Sequence, residues 1–518
     1  MNRRIFIQRS IYGSISLLTF EMLACRKDSS GSNPARQPAH PPIDPRPGMD
    51  LYGSIIDDAG HPVAGAVVSD GYQCVLTDDS GIYQMKRDTR ASTVFFSMPE
   101  QYEVKTAGAI SGAADFFSPL SAVSGRYNFD LKKLPAVEND FTLICIGDPQ
   151  VTSAAEIDRY KAETVTDMKA FIETQSRPCY ALVLGDTVND RPEFFTQMRN
   201  VTGALSMPCF TTIGNHDKTG GSAASPRDAA AYTAVFGPVN YSWNRGKVHF
   251  ISLDNVLYAD ASTYRGGLED FQIEWLRQDL SHVPKDKMII VYYHIPIRHT
   301  TDFPNRAAFF SLLEGYAGVH FMAGHTHYNE NFAITSPMNI YEHIHGAACG
   351  AWWKSTVNCD GTPNGYAVYS IHNAEINDWF YKSTRYGKDF QIRMHWGDTQ
   401  FGGPHGHFSY QQGYNIVANI WNADPEWTIE AFEDGVNAGV PVKLSTLIDA
   451  YAAGYHVGVL NRVPGNYGAA GNGSNKHAYL HVLKNKSARE IEIRATDRFG
   501  HVYSQTEIIA DLTAAEKY

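Results

Sequence analysis

The sequence is poor in positive charge. Its 518 residues carry 44 Lys and Arg against 55 Asp and Glu, which gives a net charge of −11. Affinity for nucleic acid depends mainly on cationic contacts to phosphates, so this balance argues against a nucleic-acid scaffold. We therefore expect no nucleic-acid partner.

Long apolar runs are also missing. Beyond residue 25 no stretch reaches the roughly 20 apolar residues that a membrane-spanning helix needs. Charged residues make up 19% and hydrophobic residues 43% of the chain, a composition typical of folded globular proteins. At roughly 150 residues per domain, the length predicts three or four domains and excludes a single small binding module.

Cysteine is scarce, with seven residues in the chain. The first belongs to the N-terminal segment described next, and the remaining six form an even number, which permits disulfides in an exported protein without showing any. Three of them, Cys145, Cys179 and Cys209, lie in or beside apolar runs and are interpreted as small core residues. Cys349 and Cys359 form the best local pair.

The N-terminus resembles a bacterial lipoprotein signal. It has a basic start at Arg3-Arg4, a mostly apolar stretch over 11–20 and a small-residue cleavage motif before Cys25. The resemblance implies removal of residues 1–24 and lipidation of Cys25, so that the exported protein is anchored in the cell envelope. Residues 3–7 also resemble a twin-arginine signal, which leaves the export route open.

Two segments precede the main α/β pattern. Residues 25–47, rich in Ser, Pro, Asp and Arg, are predicted to be a flexible tether. Residues 48–136 hold short apolar runs between Asp/Gly turns, which is typical of an antiparallel β-sandwich. The stretch from Gly53 to Tyr83 resembles the carboxypeptidase-regulatory-like, transthyretin-like domains. Since no cluster of ionisable residues suggests catalysis there, we interpret this domain as a spacer or interaction module.

From residue 141 onward the pattern changes to strands alternating with helices. The apolar run 141–146 is followed by a capping box at Ser153 and Glu156, and apolar residues then recur at helical spacing. The other buried-strand patterns cover 180–184, 209–213, 248–253, 288–293 and 319–323. This alternation predicts a mainly parallel sheet covered on both sides by helices.

Residues with oxygen or nitrogen donors follow these strands directly or one glycine beyond. They are Asp148, Asp186, Asn215, His294 and His325. Ligand sites of open α/β sheets lie outside the carboxyl ends of the strands, so these side chains should converge in one crevice. Each motif alone is weak evidence, because a Gly-Asp after a strand is usually a turn. Five such motifs in succession are hard to explain by turn chemistry.

Together the motifs resemble those of the calcineurin-like metallophosphoesterases. The resemblance rests on Gly147-Asp148, Gly185-Asp186, Gly214-Asn215-His216-Asp217, a His after a strand and Gly324-His325-Thr326-His327. It implies an α/β catalytic domain over 137–372, built as a two-sheet sandwich flanked by helices. It also implies two divalent metal ions, one held by Asp148, Asp186 and His327, the other by Asp186, Asn215, His294 and His325. Asp186 would bridge the two.

Gln150 departs from the commonest family pattern, which has His at this point, although some members carry Asp-X-Gln. An amide oxygen can bind the first metal but is a weaker donor than imidazole, so that metal should be more labile or of a different kind. The mixed donors suit Mn²⁺, Fe, Zn²⁺ or Co²⁺, and the sequence does not choose among them.

The expected reaction is hydrolysis of a phosphomonoester or phosphodiester. Two divalent cations lower the pKa of a bridging water, and the resulting hydroxide attacks phosphorus in line. His216 belongs to neither ligand set and is positioned to protonate the departing oxygen, with Asp217 as the candidate to orient it. Asp190 is interpreted as a loop cap rather than as an outer carboxylate of the site.

Four residues are candidates for substrate contact. Arg265 or Arg298 could hold a phosphate oxygen with two hydrogen bonds, the alternative being an ordinary surface arginine. Trp352 and Trp353, in a Gly-rich loop, could stack on a sugar, a base or a choline-like cation, or could pack against a neighbouring domain.

Residues 373–518 are predicted to form a third domain. Strand patterns at 416–421, 428–432, 478–483, 490–495 and 501–508 predict a β-sandwich. It resembles the C-terminal domains of a bacterial subset of these phosphoesterases, and its role is either binding of an envelope glycan or covering the edge of the catalytic domain.

Two other functions are compatible with the sequence. An envelope adhesin or glycan-binding lipoprotein with a decayed catalytic domain is suggested by Gln150 and the two β domains, but every other ligand and His216 are intact. A metal-dependent nuclease is disfavoured by the net charge of −11.

Overall fold

The computed structural model describes residues 39–106, 113–122, 125–205, 207–397, 415–444, 449–460 and 475–512. The predicted signal, Cys25 and the tether up to residue 38 lie outside this part of the chain. Within the described ranges, no helix is both long and apolar enough to span a membrane. The six cysteines found there are in no disulfide, so the pairing of Cys349 with Cys359 is not formed.

The N-terminal domain, residues 51–131, consists of two four-stranded sheets. Their strands are β1 (Leu51–Asp57), β2 (Val67–Ser69), β3 (Cys74–Leu76), β4 (Ile82–Met85), β5 (Thr93–Phe96), β6 (Phe117–Pro119), β7 (Gly125–Arg126) and β8 (Phe129–Leu131). One sheet has the strand order β4-β1-β7, and β8 also pairs with its β1. The other sheet has the order β3-β2-β5-β6. The expected antiparallel pattern fails at β7 and β8, which pair in parallel with β1 because the chain returns to it from the other sheet.

The central domain, residues 140–383, is built on two larger sheets. Their strands are β9 (Asp140–Ile146), β10 (Cys179–Val183), β11 (Cys209–Thr211), β12 (Tyr241–Arg245), β13 (Val248–Ser252), β16 (Met288–Tyr292), β17 (Gly318–Ala323), β18 (Glu330–Ile334), β19 (Ile340–Ile344), β20 (Gly365–His372) and β21 (Glu375–Ser383). A separate hairpin joins β14 (Val256–Tyr258) to β15 (Tyr264–Gly266). The sheet orders are β11-β10-β9-β20-β21 and β12-β13-β16-β17-β19-β18.

Both large sheets are mixed rather than mainly parallel. Strands β9 to β11 and the run β13-β16-β17-β19 are parallel, whereas β12, β18, β20 and β21 pair antiparallel because hairpins add them at the ends. The β20–β21 hairpin carries the sheet to Ser383, so the expected boundary at 372 falls inside this hairpin.

The uninterrupted apolar runs of the sequence are explained by burial on both faces of a strand. In β9, Phe141, Leu143 and Cys145 belong to the large core cluster that also holds β13, β16 and β17 of the other sheet. Ile144 and Ile146 belong instead to the cluster packed under the helices. Alternate residues thus face different cores, as the pleat of a strand requires.

The helices are short, and α1 begins at the predicted capping box. They are α1 (Ala154–Tyr160), α2 (Thr166–Glu173), α3 (Phe195–Gly203), α4 (Ala230–Phe236), α5 (Asp270–Leu280), α6 (Arg306–Leu312), α7 (Ala450–Ala453) and α8 (Ile509–Leu512). A π-helical turn, Lys161–Val165, joins α1 to α2, and a second π-helical turn covers Gly454–Val459. Two short 3₁₀ helices cover Pro192–Phe194 and Ile297–His299. Ser153 caps α1 by accepting from the Glu156 N–H at 3.3 Å.

The C-terminal domain, from residue 392, has two antiparallel four-stranded sheets. Their strands are β22 (Ile392–Trp396), β23 (Asn415–Ile420), β24 (Thr428–Glu433), β25 (Val436–Gly439), β26 (Val442–Lys443), β27 (Ala478–Val482), β28 (Glu490–Thr496) and β29 (Val502–Ile508). Their orders are β22-β23-β27-β26 and β25-β24-β28-β29. The predicted fold class, an α/β domain between two strand-rich domains, is confirmed.

A buried polar network joins the C-terminal domain to the central domain at Asp360. One Asp360 carboxylate oxygen, Oδ2, accepts from the Asn329 N–H at 2.9 Å and lies 3.0 Å from Nε2 of His477. The side-chain amides of Asn419 and Asn475 donate to the Asp360 carbonyl at 2.7 and 2.8 Å. Asp360 is fully buried, so its charge depends on partners within the protein.

Candidate metal centre

Seven predicted ligands lie just beyond the carboxyl ends of five strands. Asp148 and Gln150 follow β9, Asp186 follows β10, Asn215 follows β11, His294 follows β16, and His325 and His327 follow β17. Six of the seven are buried, and His325 is partly exposed. The structure therefore brings the sequence-predicted donors into one crevice, as the strand-end rule requires.

Asp148 and His327 form one half of this cluster. His327 Nε2 lies 3.5 Å from Asp148 Oδ1. The backbone N–H of His325 donates to both carboxylate oxygens of Asp148, each at 3.0 Å. This contact fixes the Asp148 carboxylate against the loop that carries the two histidines.

Asn215, His294 and His325 form the other half. His294 Nε2 lies 3.0 Å from Asn215 Oδ1 and 3.2 Å from His325 Nδ1. Donor atoms of Asp186, His294 and His325 all lie within 4.8 Å of one another, close enough to share one ion. Asp186 Oδ2 is 3.3 Å from His294 Nε2 and 3.2 Å from Gln150 Nε2, so this carboxylate lies between the two halves.

The loops that carry the ligands adopt unusual backbone conformations. Five ligands have positive φ: Asp148 (40°), Gln150 (41°), Asp186 (46°), His325 (73°) and His327 (56°). Such conformations cost energy in non-glycine residues and are maintained by the surrounding structure at functional sites. They turn each side chain out of its strand direction into the crevice.

Glycines in the motifs allow the loops to approach closely. A Cβ on Gly214 would lie 2.2 Å from the Asp186 backbone nitrogen, and one on Gly324 would lie 2.6 Å from Asp148 Oδ2. Any side chain at either position would push a ligand carboxylate away. The Gly-Asn-His-Asp and Gly-His-X-His motifs therefore need glycine for packing around the ligands.

His294 is oriented by contacts outside the donor cluster. Its Nδ1–H donates to the Leu184 carbonyl at 2.8 Å, which leaves Nε2 as the atom that faces Asn215 and Asp186. The side-chain oxygen of Asn255 accepts from the backbone N–H groups of His294 and Ile295. An imidazole fixed in this way has its other nitrogen available for a metal.

The electrostatics of the cluster are dominated by burial and by the carboxylates. Burial opposes ionisation of Asp186, but the neighbouring His294, and then His216 and His325, lower its pKa below the usual value. Burial would lower the pKa of His294, but the Asp186 carboxylate raises it to about 9. Burial and the nearby His294 lower the pKa of His325 to about 4. A concentrated negative charge thus lies at the centre of the site, where it would stabilise bound cations.

The donors fit divalent metal ions. The buried Oε1 of Gln150 has no hydrogen-bond partner among the residues that the structure describes, although a buried polar atom normally has one. A cation bound beside Asp148 and Asp186 would satisfy this oxygen. Carboxylate, amide and imidazole donors together suit Mn²⁺, Fe, Zn²⁺ and Co²⁺.

His216 lies beside the cluster and is held by a residue that the sequence did not single out for this role. Its backbone N–H donates to Asp186 Oδ1 at 2.8 Å, and its Nδ1 lies 2.9 Å from Asp190 Oδ2. Asp190 also bonds Arg227. Asp190 therefore orients His216, instead of serving only as a loop cap.

Asp217 was expected to orient His216, but the structure gives it a different position. It is fully buried and accepts from the backbone N–H groups of Gly214 at 2.9 Å and Val188 at 3.1 Å. Burial and then the Asp186 charge raise the pKa of Asp217 to about 7. Its hydrogen bonds tie the loop that carries Asn215 to the loop that carries Asp186.

The arginine candidates for substrate contact lie in other surroundings. Arg265 forms an exposed ion pair with Asp302. Arg298 packs over the Phe332 ring at 4.1 Å and lies 3.9 Å from Glu330. In the part of the chain that the structure describes, neither contacts one of the seven donor side chains.

The two tryptophans are separated by the structure. Trp352 stacks on the imidazole of His327, with ring centroids 4.7 Å apart, and so lies at the wall of the site. Trp353 is 5% exposed, donates from Nε1 to the Pro149 carbonyl at 2.8 Å and packs against Tyr160. Trp353 therefore supports the ligand loop from within the domain core and is not placed to stack on a substrate.

Two tyrosines of the β14–β15 hairpin are further wall residues. Tyr258 donates from its hydroxyl to the Asn215 carbonyl at 3.0 Å, and the Tyr264 ring packs edge-on against His325, with centroids 6.0 Å apart. Neither was predicted from the sequence as a wall residue, because both lie far along the chain from every metal-ligand motif. The sole sequence signal nearby was Arg265, which is next to Tyr264 in the chain.

Replacing Gln150 should affect one metal more than the other. Gln150→Ala removes the unpartnered Oε1 and should leave the second ion bound while the first is lost at lower chelator concentration. Gln150→His should retain the first ion at least as tightly, since imidazole is the better donor for these metals. Metal content per chain after graded dialysis against a chelator measures both effects. Equal loss of both ions from Gln150→Ala would contradict the assignment.

Comparison with known proteins finds one family along most of the chain. Residues 141–329 match the calcineurin-like phosphoesterase model, 49–134 match the model of its N-terminal domain and 342–503 match the model of its C-terminal domain. No curated protein matches the chain.

Several solved structures are similar over parts of the chain. A purple acid phosphatase from yellow lupin (Lupinus luteus) seeds is 14% identical, over 48% of this chain and 55% of that one, with a TM-score of 0.34. A dimetal phosphatase from Danio rerio is 14% identical, over 47% of this chain and 96% of that one, with a TM-score of 0.34. A 5'-nucleotidase precursor from Thermus thermophilus is 10% identical, over 73% of this chain and 90% of that one, with a TM-score of 0.29. On the three family models, the chain belongs to the calcineurin-like phosphoesterases, a family of metal-dependent phosphoester hydrolases with dinuclear centres.

Proposed function

We propose that this protein is an exported, membrane-tethered phosphoesterase that hydrolyses phosphomonoesters or phosphodiesters with two divalent metal ions. The observation that carries the proposal is the convergence of seven donor residues with His216 beside them. Asp148, Gln150 and His327 would hold one ion, Asn215, His294 and His325 the other, and Asp186 both.

The metal ions, when bound, supply Lewis acidity and lower the pKa of water, so that hydroxide is available near neutral pH. The chain supplies the remaining chemistry. Hydrolysis forms a bond from the water oxygen to phosphorus and breaks the bond to the alcohol oxygen, which must gain a proton. We assign that proton to His216, since Asp190 holds its Nδ1 and Nε2 is the ring nitrogen that remains to donate.

His216 is suited to this role by its surroundings. Burial would lower its pKa, but the hydrogen bond to Asp190 and the charge of Asp186 raise the pKa above its usual value. The raised pKa favours the protonated imidazole, which is the form that can give a proton to an alkoxide. Arg227, bonded to the other oxygen of Asp190, keeps the Asp190 carboxylate in place.

The first test of the proposal is turnover. Purified protein is assayed with a panel of chromogenic monoesters and diesters, with Mn²⁺, Zn²⁺ and Fe²⁺ added separately. Hydrolysis of one ester class that depends on added metal is expected, and the panel identifies both the class and the metal. Absence of turnover with every ester and metal would overturn the proposal and would favour a binding protein with an inactive site.

Membrane tethering is proposed from the lipoprotein-like sequence that ends at Cys25. The intact protein should partition with membranes, and Cys25→Ser should release it into the soluble exported fraction, because the lipid anchor is lost. Fractionation of cells that express each form, followed by mass determination of the N-terminus, measures this. A wild-type protein recovered entirely soluble, with a different N-terminus, would contradict the proposal.

A further inference from the structure

A cavity of about 420 Å³ lies between the central and C-terminal domains, within the roughly 300–1,000 Å³ range of small-molecule pockets. The central domain contributes Arg298, Glu330 and Phe332 to its wall. The C-terminal domain contributes Lys443, on β26, and Lys476, which lies just before β27. We call it the junction cavity.

The wall of the junction cavity carries more positive than negative charge. Its described residues include one carboxylate, Glu330, and three permanent cations: Arg298, Lys443 and Lys476. The carboxylate is already in use, because its Oε2 lies 2.8 Å from Nε2 of His299. Burial would raise the pKa of Glu330, but His299, and then Arg298 and Lys476, hold it below its usual value, so these charges lie around one point. The cavity therefore keeps a net positive charge, which a bound anion would neutralise.

The two lysines have no partner for their charge. Within the described ranges, neither Lys443 nor Lys476 forms an ion pair or a hydrogen bond through its ammonium group. Partial burial lowers the pKa of Lys443, and the charges of Glu330 and Asp424 do not offset this effect. An ammonium group that is partly removed from water without a counter-charge is stabilised when an anion binds beside it.

Arg298 is held in the wall with its hydrogen-bond donors unused. Its backbone N–H donates to Glu342 Oε2 at 2.8 Å, and its guanidinium lies 4.1 Å from the centroid of the Phe332 ring. The nearest carboxylate oxygen, on Glu330, is 3.9 Å from Nε, which is beyond hydrogen-bond distance. The planar guanidinium can therefore donate two parallel hydrogen bonds to an oxyanion.

The other polar side chains of the wall, His477 and Asn331, are used within the protein. His477 Nε2 lies 3.0 Å from Oδ2 of the buried Asp360, and Asn331 Nδ2 donates to the Asn422 carbonyl at 3.2 Å. The rest of the wall is apolar and consists of Phe332, Ala423, Pro425 and Leu444. The donors that remain for a ligand are thus all cationic.

These features together select a small anion. A cation would be repelled, and a neutral polar ligand would find few free partners. A nucleic acid is bound by a basic stripe along a surface, whereas these three cations line one cavity of a chain with a net charge of −11. Two ammonium groups and a guanidinium match a group with two negative charges and several oxygens.

We propose that the junction cavity binds a doubly charged oxyanion, either free phosphate or the phosphate group of a small organic molecule. The inference goes beyond the proposed phosphoesterase activity and does not rest on it, because none of the wall residues is a metal donor. It gives the C-terminal domain a part in ligand binding.

The test is equilibrium dialysis of the metal-loaded protein against radiolabelled phosphate. The wild type should bind one phosphate in the junction cavity, besides any phosphate at the metal centre. Lys443→Gln/Lys476→Gln should weaken the cavity event about tenfold or more for each lysine, since two charge-assisted hydrogen bonds are lost, and should keep its metal content. Lys443→Arg/Lys476→Arg keeps both charges and should retain binding.

Lys388→Gln/Lys484→Gln is the matched control, because it removes two exposed lysines outside the cavity wall. It should bind phosphate as the wild type does. Glycerol 3-phosphate identifies the source of the anion, and Asp186→Asn is used for it so that the ester is not hydrolysed. Tighter binding of glycerol 3-phosphate than of phosphate indicates an organic phosphate, and the reverse indicates free phosphate.

Three results would overturn the proposal. They are unchanged phosphate binding in Lys443→Gln/Lys476→Gln, loss of binding in the arginine variant, and an equal loss in the control. A measurement on the wild type alone covers the case in which the glutamine variant does not fold. Phosphate should slow hydrogen exchange at residues 441–444 and 476–479, and unchanged exchange there would also overturn the proposal. Absence of turnover with every ester, with this binding intact, would overturn the phosphoesterase activity alone.

Discussion

The Asp186→Asn variant is expected to lose both metal ions and more than about 10³-fold of kcat/KM, because Lewis-acid stabilisation of several kcal/mol disappears with the ions. Asp186 Oδ2 lies between Gln150 and His294, so one carboxylate serves both halves of the site. An amide has the same shape but no charge, and the neighbouring histidines and Asp148 do not replace that charge. Elemental analysis of the purified variant and turnover at saturating metal measure the two losses.

Asp158→Asn is the matched control for this prediction. It makes the same chemical change at a side chain that is 76% exposed on α1 and outside the ligand set. The control should keep two ions per chain and wild-type turnover. Two ions bound to Asp186→Asn would show that this carboxylate does not bridge, and the ligand assignment would have to be abandoned.

The loss of activity in His216→Ala should depend on the leaving group of the substrate. An alkoxide needs a proton in the transition state, whereas a nitrophenolate hardly does. His216→Ala should therefore keep both metals, lose about 10²- to 10⁴-fold on alkyl phosphoesters and lose much less on nitrophenyl esters. Rates plotted against leaving-group pKa should be steeper for the variant than for the wild type.

Asp190→Asn and His282→Ala complete this experiment. Asp190 holds Nδ1 of His216, so its amide variant should show the same dependence on leaving group with a smaller loss. His282 is exposed and is not one of the donor residues, and its removal should change neither slope nor metal content. Parallel lines for the wild type and His216→Ala would exclude the general-acid role. An equal loss of activity on all leaving groups, together with lower thermal stability, would indicate a structural role for His216.

The donor residues could be predicted from the sequence because their placement follows from strand topology. Parallel strands bring their carboxyl ends to one edge, so residues that follow successive apolar runs must meet there. Asp186 and His294 are far apart in the chain, yet the rule places them together without any knowledge of the loops. The strand-rich domains on either side were predicted for a similar reason, from regular spacing of short apolar runs and turns.

Orientation within the site could not be predicted in the same way. Asp217 is next to His216 in the chain, and adjacency suggested a hydrogen bond between them, but the Asp217 carboxylate accepts from the backbone N–H groups of Gly214 and Val188 instead. Asp190 reaches His216 because the loops that carry them are hydrogen-bonded to each other, which is a property of the packed structure. The mixed sheets escaped prediction because an edge strand that joins by a hairpin has the same apolar pattern as a parallel one. Tyr258 and Arg227 were missed because only tertiary packing brings them to the metal centre.

The buried Asp360 network limits how freely the domains of this protein can be exchanged. Asn329 lies two residues after His327, and its backbone N–H depends on the Asp360 carboxylate, which in turn depends on His477 of the C-terminal domain. A central domain expressed alone would keep this carboxylate without its C-terminal partners, and a buried charge that loses its partners is strongly destabilising. The C-terminal domain is therefore not a detachable module. A chimaera that retains the metal centre would have to inherit His477, Asn419 and Asn475 together with Asp360.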